Sequence, residues 1–181
     1  FRLHFYNADG SRGEMCGNGA RCICRFAYDH GIAGEAMTVQ TDAGLVPGWR
    51  IDENQYRVKL NNPEILDLSR KGPIAYVELG NPGIPHAVVP VENLKDYDEA
   101  ALFSLGRALR YHPAFPKGAN VNFYEIIGED HLYERTYERG VEDFTYACGT
   151  GTGSVVTVLT LKGQVSGHGV AVDMAGGRLT I

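Results

Sequence analysis

No apolar run in this chain approaches the roughly 20 residues that a membrane-spanning helix needs; stretches such as Ala87-Val88-Val89-Pro90-Val91 stop after a few. A Lys/Arg cluster is also missing. The 17 basic residues are outnumbered by 22 acidic ones and the formal net charge is −5, so a phosphate-backbone partner is set aside. Cysteine is scarce: four in 181 residues, at positions 16, 22, 24 and 148, three of them in one short segment. That distribution makes a poor disulfide framework and fits a reducing compartment, so a cytoplasmic protein is expected. The spacing is not C-x2-C and no His pair stands at ligand distance in sequence, so no metal is expected. Gly149-Thr150-Gly151-Thr152-Gly153-Ser154 lacks both the P-loop lysine and the strand-end acid of a dinucleotide site. No lysine stands in a setting suited to pyridoxal phosphate, and no cofactor is expected. There is no visible signal peptide, and no initiator Met; the chain opens at Phe1 and stops at Arg178-Leu179-Thr180-Ile181, both inside strand-like text. It reads as a piece of a longer protein.

What is present is a duplication. Met15-Cys16-Gly17-Asn18-Gly19 and Ala147-Cys148-Gly149-Thr150-Gly151 each open a helix-like stretch. A helix-stopping glycine follows each cysteine at the same offset (31 − 16 = 15 and 163 − 148 = 15), and Ala43-Gly44 and Ala175-Gly176 also match (44 − 16 = 28 and 176 − 148 = 28). With 44% hydrophobic residues, the chain can bury one core or two small ones. The expected fold is α/β (α+β), with two pseudo-symmetric halves, 1–70 and 71–181.

Phe1 to Tyr6 has β composition and ends in a turn cluster, Asn7-Ala8-Asp9-Gly10-Ser11. Ala20, Ile23, Cys24 and Ala27 follow helical spacing from Gly17 to His30, with Gly31 as the stop. Strand text follows at 36–40, 49–51 and 56–60, and Asn61-Asn62-Pro63 ends this strand-rich stretch. Strands are expected again at 74–79 and 87–91, then a helix over 97–110 capped by Asp96 or Asp98. Strands at 120–126 and 131–137 lead to the second motif, whose helix over 149–162 is β-branched and rests on the repeat.

A cysteine immediately before Gly-x-Gly at a helix start faces unpaired N–H groups and the positive end of the dipole, so its thiolate is favoured. The same N–H groups, approachable because glycine has no side chain, can hold a substrate carboxylate and the charge of a developing carbanion. Two such sites facing each other put a donor and an acceptor on opposite faces of one carbon, which is stereoinversion by two-base proton transfer. Cys22 and Cys24, on the helix body, read as small hydrophobes. A Cys-His hydrolase would need His86 or His112 at a single sulfur and leaves the second motif copy without a role.

These motifs together resemble the diaminopimelate epimerase family. The resemblance runs through Phe5-Tyr6-Asn7-Ala8-Asp9-Gly10-Ser11, Glu14-Met15-Cys16-Gly17-Asn18-Gly19-Ala20-Arg21-Cys22, Gly80-Asn81-Pro82 with Pro85-His86, Phe115-Pro116 before Asn120-Val121-Asn122-Phe123, Tyr137-Glu138-Arg139-Gly140 and Ala147-Cys148-Gly149-Thr150-Gly151. It implies a cofactor-independent isomerase with two halves, each a mostly antiparallel sheet around a central helix, and a site in the cleft between them. Cys16 and Cys148 would then be base and acid. Asn7, Asn81, Asn120, Glu138 and Arg139 would bind substrate, with backbone around Gly17-Asn18 and Gly149-Thr150 on the reacting carboxylate. His86 and Glu138 would modulate the thiols. The implied substrate is LL- or meso-2,6-diaminopimelate; another amino acid, such as proline or histidine, and a non-catalytic or zinc-holding domain stay as alternatives. A homodimer is also implied. Two departures stand out: Gly83-Ile84-Pro85 intervenes in a normally contiguous Asn-Pro-His run, and the stretch between Arg139 and Cys148 is one residue longer than usual. The family's opening segment, which supplies further polar contacts, has no counterpart before Phe1, and without it the chain is expected to be inactive.

Overall fold

A computed structural model describes residues 1–6, 10, 12–13, 15–81 and 83–181. Asn7, Pro82 and the turn residues around Asp9 lie outside that set. The first half holds a two-stranded ribbon, β1 (Phe5–Tyr6) with β2 (Arg12–Gly13), then helix α1 (Gly17–Asp29), then a three-stranded antiparallel sheet of β3 (Ala36–Thr41), β4 (Gly44–Arg50) and β5 (Tyr56–Val58). Ala20, Cys24 and Ala27 on α1 pack against Met37, Val39 and Val46, so the helical spacing read from the sequence is the face that is buried. Each fully buried Val or Met contributes about 1.5–3 kcal/mol. Gly48 has no side chain because Cys24 fills the place; a Cβ there would come 2.6 Å from the sulfur. Cys22, expected to be a small core residue, is instead exposed, since it points off the helix opposite that face.

The second half is an eight-stranded sheet built from β6 (Pro63–Lys71), β7 (Ile74–Leu79), β8 (Ile84–Pro90), β9 (Asn120–Gly128), β10 (His131–Glu138), β11 (Asp143–Thr145), β12 (Ala171–Met174) and β13 (Gly177–Thr180). The order is β13-β12-β10-β9-β8-β7-β6, with β11 beside β10. Among the described residues of this sheet, only β8–β9 and β10–β12 pair in parallel. Helix α2 (Glu99–Arg110), capped by Asp98, covers one face, and α3 (Gly149–Leu161) covers the other. The period of two is visible in β7: Ile74 and Tyr76 face α2, while Ala75, Val77 and Leu79 face α3. Buried on both faces, β7 reads as a continuous apolar run.

β6 pairs with β7, so the chain enters the larger sheet directly after Asn61-Asn62. The repeat is a helix followed by a two-residue hairpin. Gly31 and Gly163, both at positive φ (65° and 68°), end α1 and α3 as expected. The hairpins match less closely, because Thr41 pairs with Gly44 but Met174 pairs with Gly177, one residue beyond the expected Gly176. Among the described residues no helix is long and apolar enough to cross a membrane.

Candidate active site

Cys16 and Cys148 are the N-cap residues of α1 and α3, with closely similar extended backbones (φ −128°, ψ 115° and φ −134°, ψ 98°). The two helix mouths abut through their first glycines. A Cβ on Gly17 would come 3.5 Å from Gly149 Cα and 3.7 Å from the Thr150 nitrogen, ordinary contact that leaves no room for anything larger than a methyl. Asn18 Nδ2 donates to the Ala147 carbonyl at 2.9 Å, and Arg21 donates to Asn18 Oδ1 at 2.5 Å, tying one helix start to the other. Leu60, at the end of the first half, leans over Gly153 of α3, where a Cβ would meet its Cδ1 at 2.5 Å. The matched motifs therefore open onto one cleft of about 350 Å³.

Nine of the residues proposed from the sequence line that cleft: Cys16, Gly17, Asn18, Asn120, Glu138, Arg139, Cys148, Gly149 and Thr150. Asn120 is fixed at both ends, donating from Nδ2 to the Pro85 carbonyl (3.2 Å) and accepting the Arg139 N–H at Oδ1 (2.8 Å). The Arg139 guanidinium donates to the Lys117 carbonyl at 3.2 Å and forms no ion pair among the described residues. Asn7 lies outside the described residues.

Two residues named from the sequence do not line this cleft. Asn81 lines an adjoining open hollow with Glu64, Glu78, Lys117 and Arg139, the last of which also lines the cleft, and Ile84 lines the cleft itself. The three inserted residues account for this: β8 starts at Ile84, so Asn81 stays in the preceding turn. His86 is not in the cleft either. It is fully buried on β8 opposite Asn120, with Nδ1 3.2 Å from Asn122 Nδ2 and Nε2 unpartnered among the described residues. Burial and the nearby Arg139 charge hold its pKa down to about 3, so the ring is neutral. His86 reaches the thiol only through Asn122, whose carboxamide packs against Gly151 beside the Cys148 sulfur.

The thiols are not electrostatic twins. Cys16 is half-buried, and its sulfur accepts the Gly19 N–H at 3.3 Å. Cys148 is buried and has no capping bond; its Sγ lies 3.7 Å from the Thr150 hydroxyl. Burial first, and then the Glu138 carboxylate, push this thiol up to about 12 against the opposing pull of Thr150 and the Gly151 N–H. The expectation that the helix mouth favours a thiolate at both cysteines thus fails at Cys148. At Cys148 burial and the nearby carboxylate together outweigh the helix mouth, whose stabilisation of an anion is only about 0.3–2 kcal/mol. Glu138, half-buried, has its carboxyl raised by desolvation, with the Thr145 hydroxyl pulling the other way.

Phe5, Met15, Gly140 and Ala147, from the motifs quoted above, also line the cleft together with Gly13 and Ile84, while Arg12 and Arg110 had no signal in the sequence. Arg110 is the last residue of α2, held by Glu142 at 3.0 Å, and only the fold carries that helix end to the cleft.

A family model described as diaminopimelate epimerase matches residues 1–66 and 79–181. The chain belongs to the diaminopimelate epimerase family. Diaminopimelate epimerase of Aquifex aeolicus is 45% identical over 171 residues, covering 91% of this chain and 60% of that protein. The Archaeoglobus fulgidus and Leptospira biflexa enzymes of the same name are 36% and 35% identical, over 99% and 100% of this chain and 68% and 71% of theirs. The chain therefore spans about two thirds of the length of such family members. Residues 67–78, the end of β6 and most of β7, fall outside the family match. Among solved structures, a PhzF-family phenazine biosynthesis protein from Bacillus anthracis superimposes with a TM-score of 0.70 at 17% identity, over 99% of this chain and 70% of its own. A hydroxyproline epimerase from Agrobacterium vitis with bound trans-4-OH-L-proline gives 0.68 at 18%, over 99% and 60%. These two share the fold with the epimerase-family chain.

Proposed function

We propose that the protein of which this chain is a part interconverts LL- and meso-2,6-diaminopimelate without a cofactor, using Cys16 and Cys148 as the two bases. The observation that carries this reading is the abutment of two cysteine-capped helix mouths on one cleft. Cys148, with its high proton affinity, is the proton donor in the forward direction, and Cys16, whose sulfur accepts the Gly19 N–H, is the base. The Cys16 thiolate takes the α-proton from one face of the substrate carbon. The electron pair left on carbon is delocalised into the carboxylate, held by the unpaired first-turn N–H groups at Gly17-Asn18 and Gly149-Thr150. Cys148 delivers its proton to the opposite face, leaving a Cys148 thiolate and a Cys16 thiol, and the reverse reaction starts from that state. Asn120 and Arg139 bind the distal amino-acid end, with the unpaired guanidinium forking onto its carboxylate. Glu138 disfavours a resting Cys148 thiolate.

Four free thiols suit a cytoplasmic setting, and the family resemblance carries a homodimer, which sedimentation of the complete protein tests. The activity test is incubation of the full-length protein with LL-diaminopimelate, proline, hydroxyproline and histidine, reading optical inversion. Inversion of diaminopimelate alone is expected. Inversion of a cyclic amino acid in its place would assign the two-thiol chemistry to another substrate, and inversion of none would refute the enzyme reading.

A further inference from the structure

Behind Cys148 lies a buried acid with no part in the reaction just described. Glu134 sits on β10 between Leu132 and Thr136, on the sheet face that packs against α3, and its side chain has no solvent exposure. Its surroundings are the buried Tyr124 ring across the strand pair, Leu132, and Thr152 of α3. Oε2 has no hydrogen-bond partner among the described residues, and Oε1 lies 3.2 Å from the Thr136 hydroxyl.

That hydroxyl decides the protonation state by counting. It has one hydrogen and two neighbours, Glu134 Oε1 at 3.2 Å and Asn122 Oδ1 at 3.1 Å. Asn122 cannot turn round, because its Nδ2 donates to the Ala87 and Asn120 carbonyls and faces His86 Nδ1. Its oxygen is therefore an acceptor that needs the Thr136 proton. An ionised Glu134 would compete for that proton and leave one buried oxygen bare, whereas a protonated Glu134 donates to Thr136, which donates to Asn122. Gly151, the third residue of α3, touches both ends of this chain of groups: a Cβ there would lie 2.1 Å from Asn122 Oδ1 and 3.2 Å from the Cys148 sulfur.

Resting on the two-thiol reading above, we propose that Glu134 is a positioning residue held as a neutral carboxylic acid, whose ionisation behind Cys148 stops turnover by making that thiol harder to deprotonate. Burial raises the Glu134 carboxyl to about 8, with Thr152 and Thr136 pulling the other way, and a Glu134 charge raises the Cys148 thiol further. The other ionisable groups facing the thiol and its backing are Glu138 on the same strand, which also raises Cys148, and neutral His86 on β8. Tyr124, raised by burial, faces Glu134 from β9, and Asp173 on β12 pairs with His131 and Arg178 on the other side of the sheet. Above about pH 8 the carboxylate therefore forms where nothing neutralises it.

The test compares the full chain with Glu134→Gln, a neutral isostere. Alkylation of Cys148 by iodoacetamide, followed peptide by peptide by mass spectrometry, needs no substrate and so reports even if no diaminopimelate is turned over. The ratio of variant to wild-type alkylation rates is expected to climb at least threefold from pH 6.5 to pH 9.5, and the ratio of kcat/KM values with diaminopimelate to climb likewise. An alkylation ratio flat across that range overturns the proposal, and a flat kcat/KM ratio beside a rising one does so for its link to turnover. Should the variant not fold, 13C NMR of glutamate carboxyls in a Glu138→Gln background decides the matter. One carboxyl still protonated at pH 7 is expected; every carboxyl ionised by pH 6 overturns it.

Discussion

At the scale of single residues, the difference between the two cysteines governs the chemistry. Replacement of either by serine is expected to lower kcat for inversion by at least about 100-fold, the scale of a lost general acid or base, while the far-ultraviolet dichroism stays unchanged. Turnover within tenfold of wild type in either variant would break the pairing. Glu138→Gln removes the second-largest influence on Cys148 and should move the alkylation profile of that thiol to lower pH. An unmoved profile would mean that Glu138 does not act on the sulfur. The residues that carry this asymmetry were only half legible in the sequence. Cys16 and Cys148 were marked by identical flanking glycines, and Asn120, Glu138 and Arg139 by the motifs around them. The ionisation of Cys148 was not, because desolvation depends on β-strands and α3 closing around the sulfur from distant parts of the chain. Asn81 sits outside the cleft lining for a local reason: β8 starts only at Ile84, three residues on, and Ile84 lines the cleft.

At the scale of elements, the glycines of α3 divide into those that need to be glycine and those that do not. Gly151→Ala drives a methyl into the Asn122 carboxamide, whose partners prevent it from moving, and is expected to cost about 1–3 kcal/mol in urea unfolding together with activity. Gly153→Ala meets only the far end of the Leu60 side chain, and the roughly 1 kcal/mol gain in helix propensity should leave stability near wild type. Equal losses for both would show that the close approach at Gly151 is not what matters. Helix α3 itself was legible only through its likeness to α1. It is rich in β-branched residues and buried nearly all round, so its amphipathic signal is absent; Thr152, Ser154, Thr157 and Thr160 make it tenable by returning their hydroxyl hydrogens to carbonyls four residues back. Strand β6 left no trace in the sequence because it is an edge strand exposed on nearly every residue, without the alternation that marks a half-buried strand.

At the scale of the whole molecule, the sheet carries two buried groups that titrate in opposite senses. His86, ordinary near 6.5 when unfolded and about 3 when folded, contributes stability that is present above pH 6.5 and is lost as pH falls toward 3. Glu134, raised from about 4.5 to about 8, contributes stability that is present below 4.5 and is lost as pH rises through 8. Urea unfolding is therefore expected to give its highest midpoint between about pH 5 and 7, with Glu134→Gln removing much of the alkaline decline. A decline of equal steepness in the variant would place its origin elsewhere. The duplicated helix-and-hairpin unit and the break at Asn61-Asn62-Pro63 were legible in the sequence, but the strand β6 that follows the break was not.

The most direct measurement of the central claim, that two sulfurs address one carbon from opposite faces, is the first turnover of LL-diaminopimelate by the full-length protein in D2O. Two bases on opposite faces put solvent deuterium into the inverted product while the unreacted substrate keeps its protium. Deuterium appearing equally in recovered substrate and product from the earliest times would mean a single base serving both faces, and would contradict the pairing of Cys16 with Cys148.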